Sequence, residues 1–166
     1  MAQRKCNIVI IGAGFGGLRA AKGLSGVNAN VVLFDRNNYH LFQPLLYQVA
    51  TAALSPADIA FPIRPIFRRQ KNIEIVLADV KSIDLHRRLI RTMDLEIDYD
   101  YLIVAAGATH SYFGHDEWHE LAPGLKQIDD AIEIRKRILL AYEEAEHELD
   151  EACLLYTSPS PRDATL

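Results

Sequence analysis

Ile8-Val9-Ile10-Ile11-Gly12-Ala13-Gly14-Phe15-Gly16-Gly17, running on to Asp35, is the stretch whose reading decides the fold. An apolar run breaks into closely spaced glycines. A helix-like segment follows with Leu18, Ala21 and Leu24 at three-residue spacing, and a second apolar run, Val31-Val32-Leu33-Phe34, ends on Asp35. The order strand, tight turn, helix, strand, acid is the context in which a G-x-G-x-x-G pattern reads as a dinucleotide-binding unit. Gly12 lets the chain turn sharply out of the strand, Gly14 lets a pyrophosphate approach the main chain because it has no Cβ, and Gly17 lets the helix pack close on the sheet. The helix N-terminus offers unpaired N–H groups and the positive end of its dipole to the phosphates. Asp35 lies 23 residues after Gly12, near the roughly 20-residue offset at which a carboxylate reaches a ribose hydroxyl, and an acid there disfavours a 2′-phosphate. A glycine-rich βα turn without a ligand is the alternative; the flanking strands and Asp35 weigh against it.

The chain as a whole sets the limits. Its 166 residues can make one domain, and a composition of 49% hydrophobic and 24% charged residues is that of a globular protein. A net charge of −4 gives no electrostatic case for nucleic acid. No apolar run approaches the roughly 18 residues of a membrane span, and the N-terminus lacks the charged-then-apolar order of a secretion signal, so a cytoplasmic location is expected. The segment 153–166 differs in texture, and Cys153 to Asp163 resembles the translation of a sequencing-library adapter. It is set aside as a tail, a natural Pro/Ser-rich linker being the alternative. Cys6 is then the remaining cysteine, which excludes a disulfide or a cysteine metal site and is expected to pack rather than react. The chain is expected to stop in the middle of a larger protein.

Beyond Asp35, Arg36 to Pro44 reads as a long loop. Leu45 to Ala53 is apolar almost all round, the pattern of a buried helix or a cofactor wall. Ser55-Pro56-Ala57-Asp58 reads as an N-cap, a proline at the first helical position and an acid in the first turn, and Pro62 and Pro65 limit the helix that follows. Arg64, Arg68 and Arg69 read as solvated charge, a phosphate or partner contact being the alternative. Ile73 to Ile83 is strand-like, and Leu89 to Met93 can return as its hairpin partner. Tyr101-Leu102-Ile103-Val104-Ala105 lacks alternation, as expected in the middle of a parallel sheet, and runs into Ala106-Gly107, small residues that permit close approach of a ligand. An amphipathic helix is expected from about Ala131 to Ala152, capped by Asp129 or Asp130, with Ile132, Leu139, Tyr142 and Leu149 on its apolar side and His147 in solvent.

Three blocks together resemble a known family. They are Gly12 to Gly17 with Asp35-Arg36, Tyr39-His40-Leu41-Phe42-Gln43-Pro44 through Ser55-Pro56, and Tyr101 to Thr109. The sequence is similar to the N-terminal part of type II NADH dehydrogenases, the non-proton-pumping NADH:quinone oxidoreductases of the two-dinucleotide-binding flavoprotein superfamily. The first and third blocks are shared across that superfamily, and the middle one is the more specific. The resemblance implies an α/β fold, a Rossmann-like, glutathione-reductase-like FAD-binding domain with an added β-meander, incomplete at the C-terminus. It implies an N-terminal portion over 1–152 leading to a missing NADH-binding domain.

The same resemblance implies roles. Gly12, Gly14, Phe15, Gly16 and Gly17 would face the FAD pyrophosphate, Asp35 the adenosine ribose and Arg36 the ribose or adenine edge. The backbone of Val80 would meet the adenine. Ala105, Ala106 and Gly107 would line the cofactor, and Gln43 and Pro44 would approach the isoalloxazine ring. In the family NADH is co-substrate, electrons pass through FAD to a quinone, and the intact enzyme sits peripherally on the cytoplasmic face of the inner membrane, possible homodimers included. No catalytic acid–base set and no metal site is implied, since the flavin itself carries the electrons. Tyr47 and Gln48 are candidates for a quinone-side wall, with core packing as the alternative for Tyr47. His40 and His110 are candidates for proton supply, loop or capping roles being the alternatives.

Two other functions compete. A ferredoxin, rubredoxin or peroxide reductase of the same superfamily is disfavoured by the block Gln43 to Pro56. A non-catalytic NAD-binding module is disfavoured by the strands from Ile73 to Met93 and by the Ala106-Gly107 strand end.

Overall fold

The computed structural model describes residues 4–147. The elements in order are β1 (Cys6–Ile11), α1 (Phe15–Gly23), β2 (Ala29–Asp35), β3 (Tyr39–Leu41), α2 (Leu46–Ala50), α3 (Pro56–Ile59), β4 (Ala60–Pro62), α4 (Ile63–Ile66), β5 (Ile73–Leu77), β6 (Ser82–Asp84), β7 (Leu89–Arg91), β8 (Glu96–Asp98), β9 (Tyr101–Val104) and α5 (Ile128–His147). They form two compact units, one running up to Leu41 and including Ala60–Thr109, the other made of Phe42–Ile59 and the chain from His110 onward.

The first unit is built on a four-stranded parallel sheet of order β5-β2-β1-β9, the Rossmann-like arrangement that the opening stretch predicts. Strands β1 and β2 carry unbroken apolar runs, Ile8–Ile11 and Val31–Phe34, as suits strands covered on both faces. Alternation sends Ile10, Val31 and Leu33 to one face, where Leu18 and Ala21 of α1 and Ile63 and Phe67 pack on them. Val9, Val32 and Phe34 go to the other face, against Ile90 and Tyr99. Each fully buried side chain of this size contributes about 1.5–3 kcal/mol on removal from water. Ile90 and partly buried Ile97 belong to a three-stranded antiparallel meander, β6-β7-β8, which is thereby a lid on the second face.

Several expectations change. Strand β9 pairs with β1, yet it is an edge of the sheet among the described residues rather than its middle, and Tyr101 and Val104 are 66% and 62% exposed. The expected hairpin of Ile73–Ile83 with Leu89–Met93 is divided: Ile73–Leu77 joins the parallel sheet beside β2, and only Ser82–Asp84 pairs with Leu89–Arg91. The Arg36–Pro44 loop contains β3, which pairs antiparallel with β4. The helix expected from Pro56 has only four residues, because the chain enters β4 at Ala60; Pro62 ends that strand and α4 follows with Pro65 inside it. Cys6 is partly buried, and burial, then the neighbouring Asp100 carboxylate, pushes its thiol pKa up.

Asp100 ties β1 to β9. Its Oδ2 accepts the Asn7 N–H at 2.7 Å, while its own N–H donates to the Asn7 carbonyl at 2.8 Å. The Asn7 N–H bond lowers the Asp100 pKa, with Arg4 adding to the effect. A carboxylate whose folded pKa lies below its unfolded value stabilises the fold above the ordinary aspartate range, and the benefit disappears as pH falls through the lowered value. Asp100→Ala is therefore expected to lower the melting temperature at pH 7, with the gap to the parent chain narrowing in acid. A gap independent of pH from 7 down to 2, measured by circular dichroism, would assign the loss to packing instead.

In the second unit, α3 carries the expected cap in reciprocal form. The Ala57 N–H reaches Ser55 Oγ at 3.4 Å and the Ser55 N–H reaches Asp58 Oδ2 at 2.8 Å. Helix α5 starts at Ile128, earlier than expected, because Asp130 reaches back to the N–H groups of Lys126 and Gln127, both at 2.8 Å. Among its described residues only Ala131 is buried. Ile132, Leu139 and Tyr142, expected to pack, are 45%, 47% and 60% exposed. His147 is exposed as expected, and the stretch to Ala152 and the segment 153–166 lie outside the described residues. No described helix is long and apolar enough to cross a membrane.

Candidate functional site

The site is the turn between β1 and α1. Gly12 has φ +98°, a left-handed conformation that a side chain resists, and a Cβ there would also overlap the Ala105 carbonyl. A Cβ on Gly17 would overlap the Gly12 carbonyl oxygen, so α1 starts directly on the turn with no room for a methyl group. Gly14 differs: a Cβ there would meet nothing within 4 Å, and one on Gly16 only the Ala105 methyl at 3.8 Å. Close packing on the inner side and open space on the outer side make a cradle.

Helix α1 begins after Gly14 with no side-chain cap and no acid in its first turn. Its first N–H groups have no intrahelical carbonyl and lie at the positive end of the helix dipole, an arrangement that can take an anion. Gly14, Phe15 and Gly16 are exposed there, with Phe15 at 51%. At the end of β2, Asp35 is half-buried; its Oδ2 accepts the Ala13 N–H at 2.6 Å and its Oδ1 the Asn37 N–H at 2.7 Å. The acid thus adjoins the turn, and its remaining lone pairs can take a hydroxyl donor. Arg36 next to it is exposed.

From the other side, the Ala105 N–H donates to the Ile11 carbonyl at 2.8 Å, bringing the end of β9 against Gly12 and Gly17. Ala106 and Gly107 are exposed, and Gly107 takes φ +76° as the chain leaves the sheet. Val80 packs against the Val9 and Phe34 cluster, which occupies its side chain. The structure thus brings together Gly12, Gly14, Phe15, Gly16, Gly17, Asp35 and Ala105.

Gln43 and Pro44 belong to the second unit, in a short 3-10 turn where Gln43 is half-buried and Pro44 exposed. Tyr47 in α2 is 53% exposed, so the core-packing alternative does not hold; its hydroxyl accepts Gln48 Nε2 at 2.9 Å. His110 is exposed, edge-on to Tyr112 at 5.3 Å, with Gly124 leaving room for its ring. Arg64, Arg68 and Arg69 are exposed, as solvated charge should be.

Sequence reasoning overlooked His40 as part of the turn. It is 8% exposed on β3, and its Nδ1 lies 3.0 Å from the Ala13 carbonyl oxygen, while the Phe15 ring stands edge-on to it at 5.1 Å. Its apolar neighbours Tyr39 and Leu41 hinted at burial, but nothing local announces a bond to a residue 27 positions away.

Residues 6–141 match the pyridine nucleotide-disulphide oxidoreductase family. The chain is 53% identical over 149 residues to the type II NADH:quinone oxidoreductase NdhA of Mycobacterium tuberculosis, covering 87% of this chain and 32% of that protein. Among solved structures, NDH2 from Plasmodium falciparum in complex with NADH superposes with a TM-score of 0.78 at 28% identity, covering 86% of this chain and 30% of that one. The sulfide:quinone oxidoreductase of Aquifex aeolicus gives 0.75 at 27% identity, covering 83% and 32%. The chain therefore spans about a third of the length of the curated relatives it matches.

Proposed function

Because the chain belongs to the pyridine nucleotide-disulphide oxidoreductase family, we propose that it is the FAD-binding part of an enzyme that moves electrons from NADH to a membrane quinone. The observation that carries this reading is the cradle itself: an uncapped helix start fronted by the open space at Gly14, with Asp35 beside it. Identity of 53% to a type II NADH:quinone oxidoreductase supports the choice of reaction.

FAD, when bound, supplies the two-electron chemistry. The chain's own residues bind and orient. The N–H groups at the start of α1 take the diphosphate, Asp35 takes the adenosine ribose with Arg36 at its edge, and the main chain at Val80 meets the adenine. Ala105, Ala106 and Gly107 give the cofactor a floor without bulk, and Gln43 and Pro44 approach the ring. NADH and quinone are partners of the whole protein, as are peripheral attachment to the cytoplasmic face of the inner membrane and a homodimer. Division of labour along the chain places the FAD half in 1–152, with NADH bound by a further domain.

The purified chain is expected to bind FAD weakly, with ADP competing and riboflavin not, because the recognised part is the adenosine diphosphate end. It is expected not to oxidise NADH. Flavin-fluorescence titration and NADH absorbance check both: binding of riboflavin as tight as that of FAD overturns the cradle assignment, and rapid NADH-dependent quinone reduction overturns the division of labour.

A further inference from the structure

Ala13 lies at the centre of the turn and is 1% exposed, and both of its polar main-chain groups are held by side chains. Its N–H donates to Asp35 Oδ2, and its carbonyl oxygen lies 3.0 Å from His40 Nδ1. The glycine pattern calls for the acid; nothing in it calls for the histidine. A carbonyl oxygen can only accept, so Nδ1 carries the proton and donates, which fixes the tautomer.

We infer that His40 is a positioning residue for the diphosphate site: by holding the Ala13 carbonyl it turns the Gly14 N–H outward, toward the bound anion. The inference rests on the FAD reading above. The peptide joining Ala13 to Gly14 is trans and planar, so its carbonyl and N–H point in opposite directions. Fixing the carbonyl on buried His40 directs the Gly14 N–H away from it, and Gly14 is exposed with open space around its Cα. A flipped peptide would present the carbonyl oxygen to the diphosphate and turn an attractive dipole into a repulsive one. Such a flip rotates ψ of Ala13 and φ of Gly14, and a glycine offers little resistance to that rotation. The feature that lets the phosphate approach thus also loosens the turn, and His40 supplies the missing restraint. Phe15, edge-on to the imidazole, limits the ring's rotation.

The test compares the full 166-residue chain with His40→Leu, His40→Asn and His40→Gln, using flavin-fluorescence titration with FAD and competition by ADP. Asparagine places its Nδ2 where the histidine has Nδ1; glutamine carries its donor one bond too far; leucine has none. His40→Leu is expected to weaken FAD and ADP binding about tenfold, the scale of one hydrogen bond. His40→Asn is expected to restore most of it, and His40→Gln not. Parental affinity in His40→Leu overturns the inference, and so do equal losses in the asparagine and glutamine variants. If the leucine variant does not fold, the asparagine–glutamine comparison decides alone. Failure of the unsubstituted chain to bind either FAD or ADP removes the FAD reading and this inference with it, a pattern distinct from parental binding that the substitutions leave untouched.

Discussion

Gly14→Val is expected to leave the chain folded and to remove its affinity for FAD. The main chain at Gly14 has φ −69° and ψ −166°, an extended conformation open to valine, and a Cβ there meets nothing within 4 Å. The folded state therefore loses only the modest advantage of glycine over valine at a helix N-cap, about 1 kcal/mol. The ligand loses far more, because three carbon atoms would fill the space in front of the helix start. A loss of at least 100-fold, equivalent to about 2.8 kcal/mol, is expected. The check is a pair of measurements on one preparation: a melting curve near that of the parent chain, and no flavin left after dialysis. Flavin retained at the parental level would show that the diphosphate lies elsewhere.

Gly17→Ala should act in the opposite way, on the fold before the ligand. Alanine favours a helix over glycine by about 1 kcal/mol. Its Cβ, however, would overlap the Gly12 carbonyl oxygen, a main-chain atom in a turn that cannot yield as a flexible side chain can. Overpacking of this kind costs about 3 kcal/mol, so a net destabilisation of about 2 kcal/mol is expected. Urea unfolding measures it, with Gly16→Ala as the control, since the added methyl there makes only an ordinary contact at 3.8 Å. A Gly17→Ala midpoint at or above the control would mean that α1 does not sit on the turn as described.

The contrast between these glycines was partly legible in the sequence. The three roles assigned to Gly12, Gly14 and Gly17 follow from their spacing behind an apolar run, and each recurs in the structure as a turn with positive φ, an open face and a close approach. The parallel pairing of β1 with β2 was readable for the same reason: apolar periodicity is local. Sheet order is not local. The run from Tyr101 to Val104 signalled a strand with two apolar faces, but its composition could not say that its outer side is open. Strands β3 and β4 have three residues each, too few for a period to register, and Pro62 argued against one of them. The start of α5 was misplaced because Asp129 or Asp130 was read as the residue before the helix, whereas Asp130 acts from inside the first turn on the residues before it.

At the glycine turn, what the sequence could not disclose was the second anchor of Ala13. Asp35 was found because its distance from Gly12 follows from strand and helix lengths. His40 reaches the same residue only because β3 folds back beside the turn, a matter of tertiary placement.

The bare flank of β9 has a practical side. Along it run amide hydrogens and carbonyls with no partner strand among the described residues, beside the exposed Tyr101 and Val104. Such a margin is a template on which an extended peptide can add as a further strand, a second molecule of the same kind included. Crowded stock solutions would therefore favour clumping, and dilute ones suit this polypeptide better.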